Sequence, residues 1–115
     1  MLRTLLQGLV NRSEVTGAAI ISGDGLLIDH ALPSGVDGDA LSALAATVVR
    51  QLTELGAVSR LGQPFTAIVE FAAGPAVIGL VEDGAALVVL AKPDADLGEL
   101  LYLMRRQRPA LSEAL

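Results

Sequence analysis

A single α+β domain, with one five-stranded antiparallel sheet and helices on both faces, is predicted by three features of the 115-residue sequence. Three segments carry apolar residues at helical spacing. Five short β-rich segments lie between them. The links between consecutive strands are so short that neighbours must run antiparallel. The order read along the chain is α-β-β-α-β-β-β-α, and a sheet covered on both faces is the economical way to bury all three helical stripes.

Leu2, Leu5, Leu6, Leu9 and Val10 repeat at i, i+3, i+4, i+7 and i+8, which predicts an amphipathic first helix ending before the polar run Asn11 to Thr16. Gly17 to Ser22 and Leu26 to Ala31 then read as two strands around Gly23-Asp24-Gly25, since Asp-Gly suits the positive φ of a tight hairpin turn. Pro33, Gly35 and Gly38 mark a loop, and Asp37 or Asp39 is placed to cap the next helix. Leu41, Leu44, Ala45, Val48, Val49, Leu52 and Leu55 form one apolar stripe through that helix, with Gly56 as its expected stop. Phe65 to Phe71, Ala76 to Val81 and Ala86 to Ala91 are the remaining strands, linked by Ala73-Gly74-Pro75 and Asp83-Gly84. The last helix is expected to start near Asp96, with Glu99 in a capping-box position, and to end at Pro109. No repeat, linker or low-complexity segment interrupts residues 1–115, which read as one domain.

Composition excludes several classes of function. With no cysteine there are no disulfides, thiolate metal sites or cysteine nucleophiles. No phosphate-binding Gly-x-x-x-x-Gly-Lys-Ser/Thr occurs, and Gly23-x-Gly25 leads into a strand rather than a helix. His30 is the sole histidine; Asp29 beside it points to the opposite face of the strand, and Ser22, Ser34, Ser42 and Ser59 have no histidine arrangement to activate them. The chain therefore reads as non-catalytic, without metal or cofactor. Alone it should neither bind nor hydrolyse nucleotides, an expectation that micromolar binding of GTP or ATP in calorimetry would overturn.

Net charge is −5 and the eight basic residues are mostly scattered, which argues against a nucleic-acid partner. The longest charge-free stretch, Phe71 to Val81, is broken by Gly74-Pro75 and falls short of the ~20 apolar residues of a membrane span. Met1 to Arg12 lacks the plan of a signal peptide, so a cytoplasmic location is expected. Hydrophobic residues make up 52% of the chain and charged ones 18%, against about 25% in ordinary globular proteins, so an apolar surface is left for a partner.

The middle helix presents a second face with Ala43, Ala46, Thr47, Arg50 and Glu54 at i, i+3, i+4, i+7 and i+11. Small residues there would let two helices approach closely, while alanine is also simply the best helix former. Arg105, Arg106 and Arg108 cluster late in the last helix, where cations suit the dipole and would also meet an acidic partner.

The run Val15-Thr16-Gly17-Ala18-Ala19-Ile20-Ile21-Ser22 with Asp24-Gly25-Leu26 resembles the opening hairpin of the Roadblock/LC7 family. The Leu- and Ala-rich helix from Ala40 to Leu55, Asp83 to Leu90, and Asp96-Leu97-Gly98-Glu99-Leu100 continue that resemblance in the family's order. It implies a homodimer with the middle helices side by side, through Ala43, Ala46 and Thr47, and the third strands, including Ile68, meeting in one continuous sheet. Bacterial MglB-like members bind a small Ras-like GTPase and accelerate its hydrolysis, whereas eukaryotic relatives scaffold GTPases or serve as dynein light chains. The resemblance therefore implies a GTPase regulator, with a passive scaffold or light-chain-like adaptor as the alternative. In such a dimer Thr47, Arg50, Gln51 and Glu54 form the partner-binding ridge.

Overall fold

Which side of the sheet each helix covers follows from the alternation of side chains along the strands. The protein's structure, a computed structural model, describes residues 2–115. Its helices are α1 (Leu2–Val10), α2 (Gly38–Val58) and α3 (Leu97–Ala114), and its strands are β1 (Val15–Ile21), β2 (Leu27–Ala31), β3 (Thr66–Phe71), β4 (Gly74–Leu80) and β5 (Ala86–Ala91). They form one antiparallel sheet in the order β2-β1-β5-β4-β3, the architecture expected from the sequence. The first and third hairpins bring β1 and β5 together at the centre. Both are apolar on the two faces and almost wholly buried, which is why they read as near-continuous apolar runs rather than alternating ones.

On one face α1 and α3 set Leu6, Leu9, Leu100, Leu103, Met104 and Leu111 against Ile20, Val77, Leu87 and Val89. On the other, α2 sets Ala45, Ala46 and Val49 against Ile21, Ile78, Leu80 and Val88. Ser42, the one buried polar side chain among the described residues, has its Oγ 2.8 Å from the Gly25 carbonyl and 3.0 Å from the Asp39 carbonyl. It thereby ties α2 to the first hairpin turn, a structural role for a serine with no activating partner. No helix among the described residues is long and apolar enough to cross a membrane.

The turns behave as their chemistry requires. Asp83 and Gly84 both have positive φ (62° and 78°), and the Ala85 N–H donates to the Glu82 carbonyl at 3.3 Å. This is the left-handed pair of a tight hairpin turn, which a short polar side chain and a glycine tolerate. Asp37, not Asp39, caps α2: its carboxylate accepts from the Ala40 N–H at 3.1 Å. Asp96 caps α3 in the same way through the Glu99 N–H, also at 3.1 Å.

Three sequence expectations are corrected. Helix α2 passes Gly56 and ends at Val58, and the left-handed residue that closes it is Arg60 (φ 60°). The Leu61 N–H donates to the Gly56 carbonyl at 2.9 Å and the Arg60 N–H to that of Ala57 at 3.2 Å, a Schellman pattern that satisfies the last carbonyls. Glycine is needed at position 56 because the chain returns over it; a Cβ there would meet the Gly62 carbonyl oxygen at 2.1 Å. Helix α3 likewise passes Pro109 and ends at Ala114. The proline frees only the carbonyl of exposed Arg105, and Leu111, buried two residues on, holds the end of the helix down.

The third correction concerns the stripe of α2. Leu44 and Leu55, expected inward, are 67% and 62% exposed, whereas Ala46, expected on an outer face, is 2% exposed. The helix is turned so that Ser42, Ala45, Ala46 and Val49 meet the sheet. The sheet already presents the large residues Ile21, Ile78, Leu80 and Val88, and small residues on the helix let the two surfaces come close. The bulky leucines are left outside.

Candidate protein-binding surface

The outer face of α2 follows directly from that rotation. Leu44, Val48, Gln51, Leu55 and Val58 recur at i, i+4, i+7, i+11 and i+14, so they form one stripe along the helix. Leu44, Val48, Leu55 and Val58 are exposed, and Leu61 just beyond the helix continues the apolar surface. Four exposed large apolar residues on one helix face exceed the singly scattered ones of an ordinary surface.

Thr47, Arg50 and Glu54 flank this stripe on one side, and Gln51 lies within it; all four are exposed. The Arg50 guanidinium donates to Thr47 Oγ1 at 3.2 Å, and Thr47 Oγ1 in turn donates to the Ala43 carbonyl at 3.2 Å. Among the described residues the ion pairs are Arg3–Asp29 and Arg12–Glu14, so the charges of Arg50 and Glu54 are not spent on each other. Of the residues assigned from sequence to a helix-pairing face, Ala43 and Thr47 are exposed, while Ala46 is enclosed within the protomer. Alanine gives no hydropathy signal strong enough to separate the two sides; the exposed Leu44 and Leu55 are the residues that sequence reasoning missed.

Strand β3 is an edge of the sheet, with one side paired to β4 and the other unpaired. Helix α2 lies nearest β1 and β2 and reaches β4 through Ile78 and Leu80, but Val69 and Phe71 of the outer strand β3 remain exposed at 41% and 63%. Ile68 points to the other face, where it is half-buried against the α1/α3 core. An edge strand carrying uncovered apolar side chains is a ready site for strand pairing.

The described residues hold no cluster of His, Cys, Asp or Glu that could bind a metal. His30 is exposed; its N–H donates to Asp29 Oδ1 at 2.8 Å, and its carbonyl accepts from Arg3 at 2.9 Å. The Arg3–Asp29 ion pair, 2.6 Å long, links α1 to β2 and gives this corner a structural reading that the sequence did not disclose.

The model of the Roadblock/LC7 domain family matches residues 1–91. No curated protein matches the chain in sequence. Among solved structures, a Roadblock/LC7 domain from Streptomyces avermitilis is 28% identical, with a TM-score of 0.80 over 94% of this chain and 95% of that one. Myxococcus xanthus MglB is 19% identical, with a TM-score of 0.84 over 96% and 88% of the two chains. An MglB with a tetrameric arrangement is 17% identical, with a TM-score of 0.87 over 96% and 85%. At those identities the two MglB likenesses establish the fold alone.

Proposed function

The chain belongs to the Roadblock/LC7 domain family, and on that premise we propose that it is a non-catalytic homodimer that regulates a small Ras-like GTPase. The observation that carries this reading is the exposed apolar stripe Leu44–Val48–Leu55–Val58 beside a polar ridge on the same helix. A second copy laid against the stripe would cover it, and the unpaired edge of β3, next to exposed Val69 and Phe71, supports a sheet continued across the two-fold axis. A protein of the same fold, the MglB with a tetrameric arrangement, is itself an assembly of copies, which accords with self-assembly here.

In such a dimer Thr47, Arg50, Gln51 and Glu54 occur twice, once on either side of the axis, and form a platform for one partner. A GTPase seated across the axis would exclude a second copy and give a two-to-one complex. Arg50 is the first residue to test, because its guanidinium is exposed and, among the described residues, hydrogen-bonded only to Thr47, and arginine is enriched among energetically dominant interface residues. Arg50→Ala is expected to leave the dimer intact and weaken the partner by more than about 1 kcal/mol. The measurement is a titration with a small Ras-like GTPase, in both nucleotide states. Unchanged affinity in the Arg50 and Glu54 variants would move the docking site, the Arg105–Arg108 segment of α3 being the next to test. A regulator changes the hydrolysis rate of the bound GTPase, whereas a passive scaffold binds it and leaves the rate unaltered.

A further inference from the structure

We propose that the cleft between α3 and the edge strand β3 is a binding site for a single-chain carboxylate amphiphile, with Arg105 and Arg108 on the head group and Ile68, Leu101 and Met104 along the chain. The cleft exists because α3 sits over β4 and stops short of β3. Met104 lies directly on Gly79, where a Cβ would meet its Cε at 2.7 Å, so the helix is seated on β4 and the flank of β3 stays uncovered. The space left is about 580 Å³. That lies within the roughly 300–1,000 Å³ of small-molecule sites, and its walls have their usual make-up, mostly apolar with a few polar groups.

Charge decides the kind of occupant. The chain carries 13 acidic residues against 8 basic ones, yet no acidic residue lines this cleft, while Arg105 and Arg108 do. Neither arginine takes part in an ion pair among the described residues. Arg108 lies with its guanidinium carbon 4.4 Å from the centre of the Phe65 ring. This cation–π contact uses none of the guanidinium's N–H donors in a hydrogen bond, so they are left to meet a carboxylate in bidentate fashion. An apolar trough with two cations at its rim and no anion suits a molecule with an apolar chain and a negative end. The same feature gives the arginine cluster of α3 a use that the α2 surface leaves unassigned.

The test is calorimetric titration of dodecanoate, below its micelle concentration, into delipidated protein. We expect saturable binding at one site per chain, lost by at least about tenfold in Arg105→Glu/Arg108→Glu, since the charge-assisted pair is replaced by repulsion. Leu101→Trp, which fills the trough from a half-buried position, is expected to block binding while circular dichroism and melting stay those of the parent. Dodecylamine, with the opposite charge, should not bind. Absence of dodecanoate binding, equal binding of dodecylamine, or binding indifferent to both variants would each overturn the proposal. So would a protein that ignores dodecanoate but loses its dimer in Leu101→Trp, which would make the cleft a contact between copies. A protein that ignores dodecanoate but loses its GTPase in the double arginine variant would make it a protein-docking groove. Dodecanoate binding is read by calorimetry with no GTPase present and is scored whatever the oligomeric state, so its failure is distinct from failure of the function proposed above.

Discussion

Leu44→Glu is expected to turn a dimer into a folded monomer, while Ala46→Glu, two residues along the same helix, is expected to unfold the chain. Leu44 is two-thirds exposed in the protomer, and a charge at such a position changes the stability of the single chain by no more than about 0.5 kcal/mol. In a dimer closed over the α2 stripe the same carboxylate is buried without a partner, at a cost of about 3–5 kcal/mol. That weakens association by a factor of roughly 100 or more. Ala46 is closed off on the sheet side of α2, in the core cluster that holds Ile21 and Val88. A glutamate there must either enter the core charged or pry the helix away, and several kcal/mol approach the whole stability of a domain, about 5–15 kcal/mol. Light scattering at micromolar concentration should give twice 11.8 kDa for the parent and 11.8 kDa for Leu44→Glu, with matching circular dichroism. Ala46→Glu should show no cooperative melting. A parent protein that stays monomeric ends the dimer proposal. A Leu44→Glu variant that stays dimeric moves the interface off α2, to the free edge of β3.

That contrast also shows where sequence reading succeeds and where it stops. Strand β5 has the limits expected of it because an Asp-Gly turn stands before it and a Lys-Pro step after it, and both signals are local. The N-caps of α2 and α3 are legible for the same reason. The polar ridge Thr47, Arg50, Gln51 and Glu54 is exposed as expected, since charged and amide side chains choose solvent whatever the packing. The facing of α2 is not local. Its apolar band is wide enough to offer two directions, and the sheet, presenting Ile21, Ile78, Leu80 and Val88, accepts the one with the smaller residues. Periodicity measures hydrophobicity and carries no information about the volume of the opposite surface. The α3–β3 cleft leaves no trace in the sequence at all, because it arises from where a helix comes to rest across a sheet. Gly56 and Pro109 are each breakers in isolation: the capping turn at Arg60 lies two residues beyond the helix that runs past Gly56, and buried Leu111 holds the helix past Pro109.

The override at Pro109 makes the second large prediction. Leu111→Ala is expected to cost about 2–5 kcal/mol, as for other large-to-small changes in a core, and to lower the melting temperature by about 10 °C or more. Leu111 is 1% exposed and packs with Leu100, Leu103 and Met104 against the sheet, although it lies beyond the proline. If α3 broke at Pro109, the residues after it would be a frayed end, and Leu111→Ala would cost no more than an ordinary surface change, within about 0.5 kcal/mol. The paired variant is Pro109→Ala. It restores the N–H that can reach the Arg105 carbonyl and removes a residue that disfavours a helix interior by about 3 kcal/mol, so it should stabilise the protein while Leu111→Ala destabilises it. Opposite signs two residues apart require a continuous helix held at its far end by one leucine. Two small effects would instead mean that the last turn is held by nothing. Because Leu111 also lines the α3–β3 cleft, its loss should enlarge that space as well as weaken the helix, which ties the shape of the proposed ligand site to the stability of the turn beyond the proline.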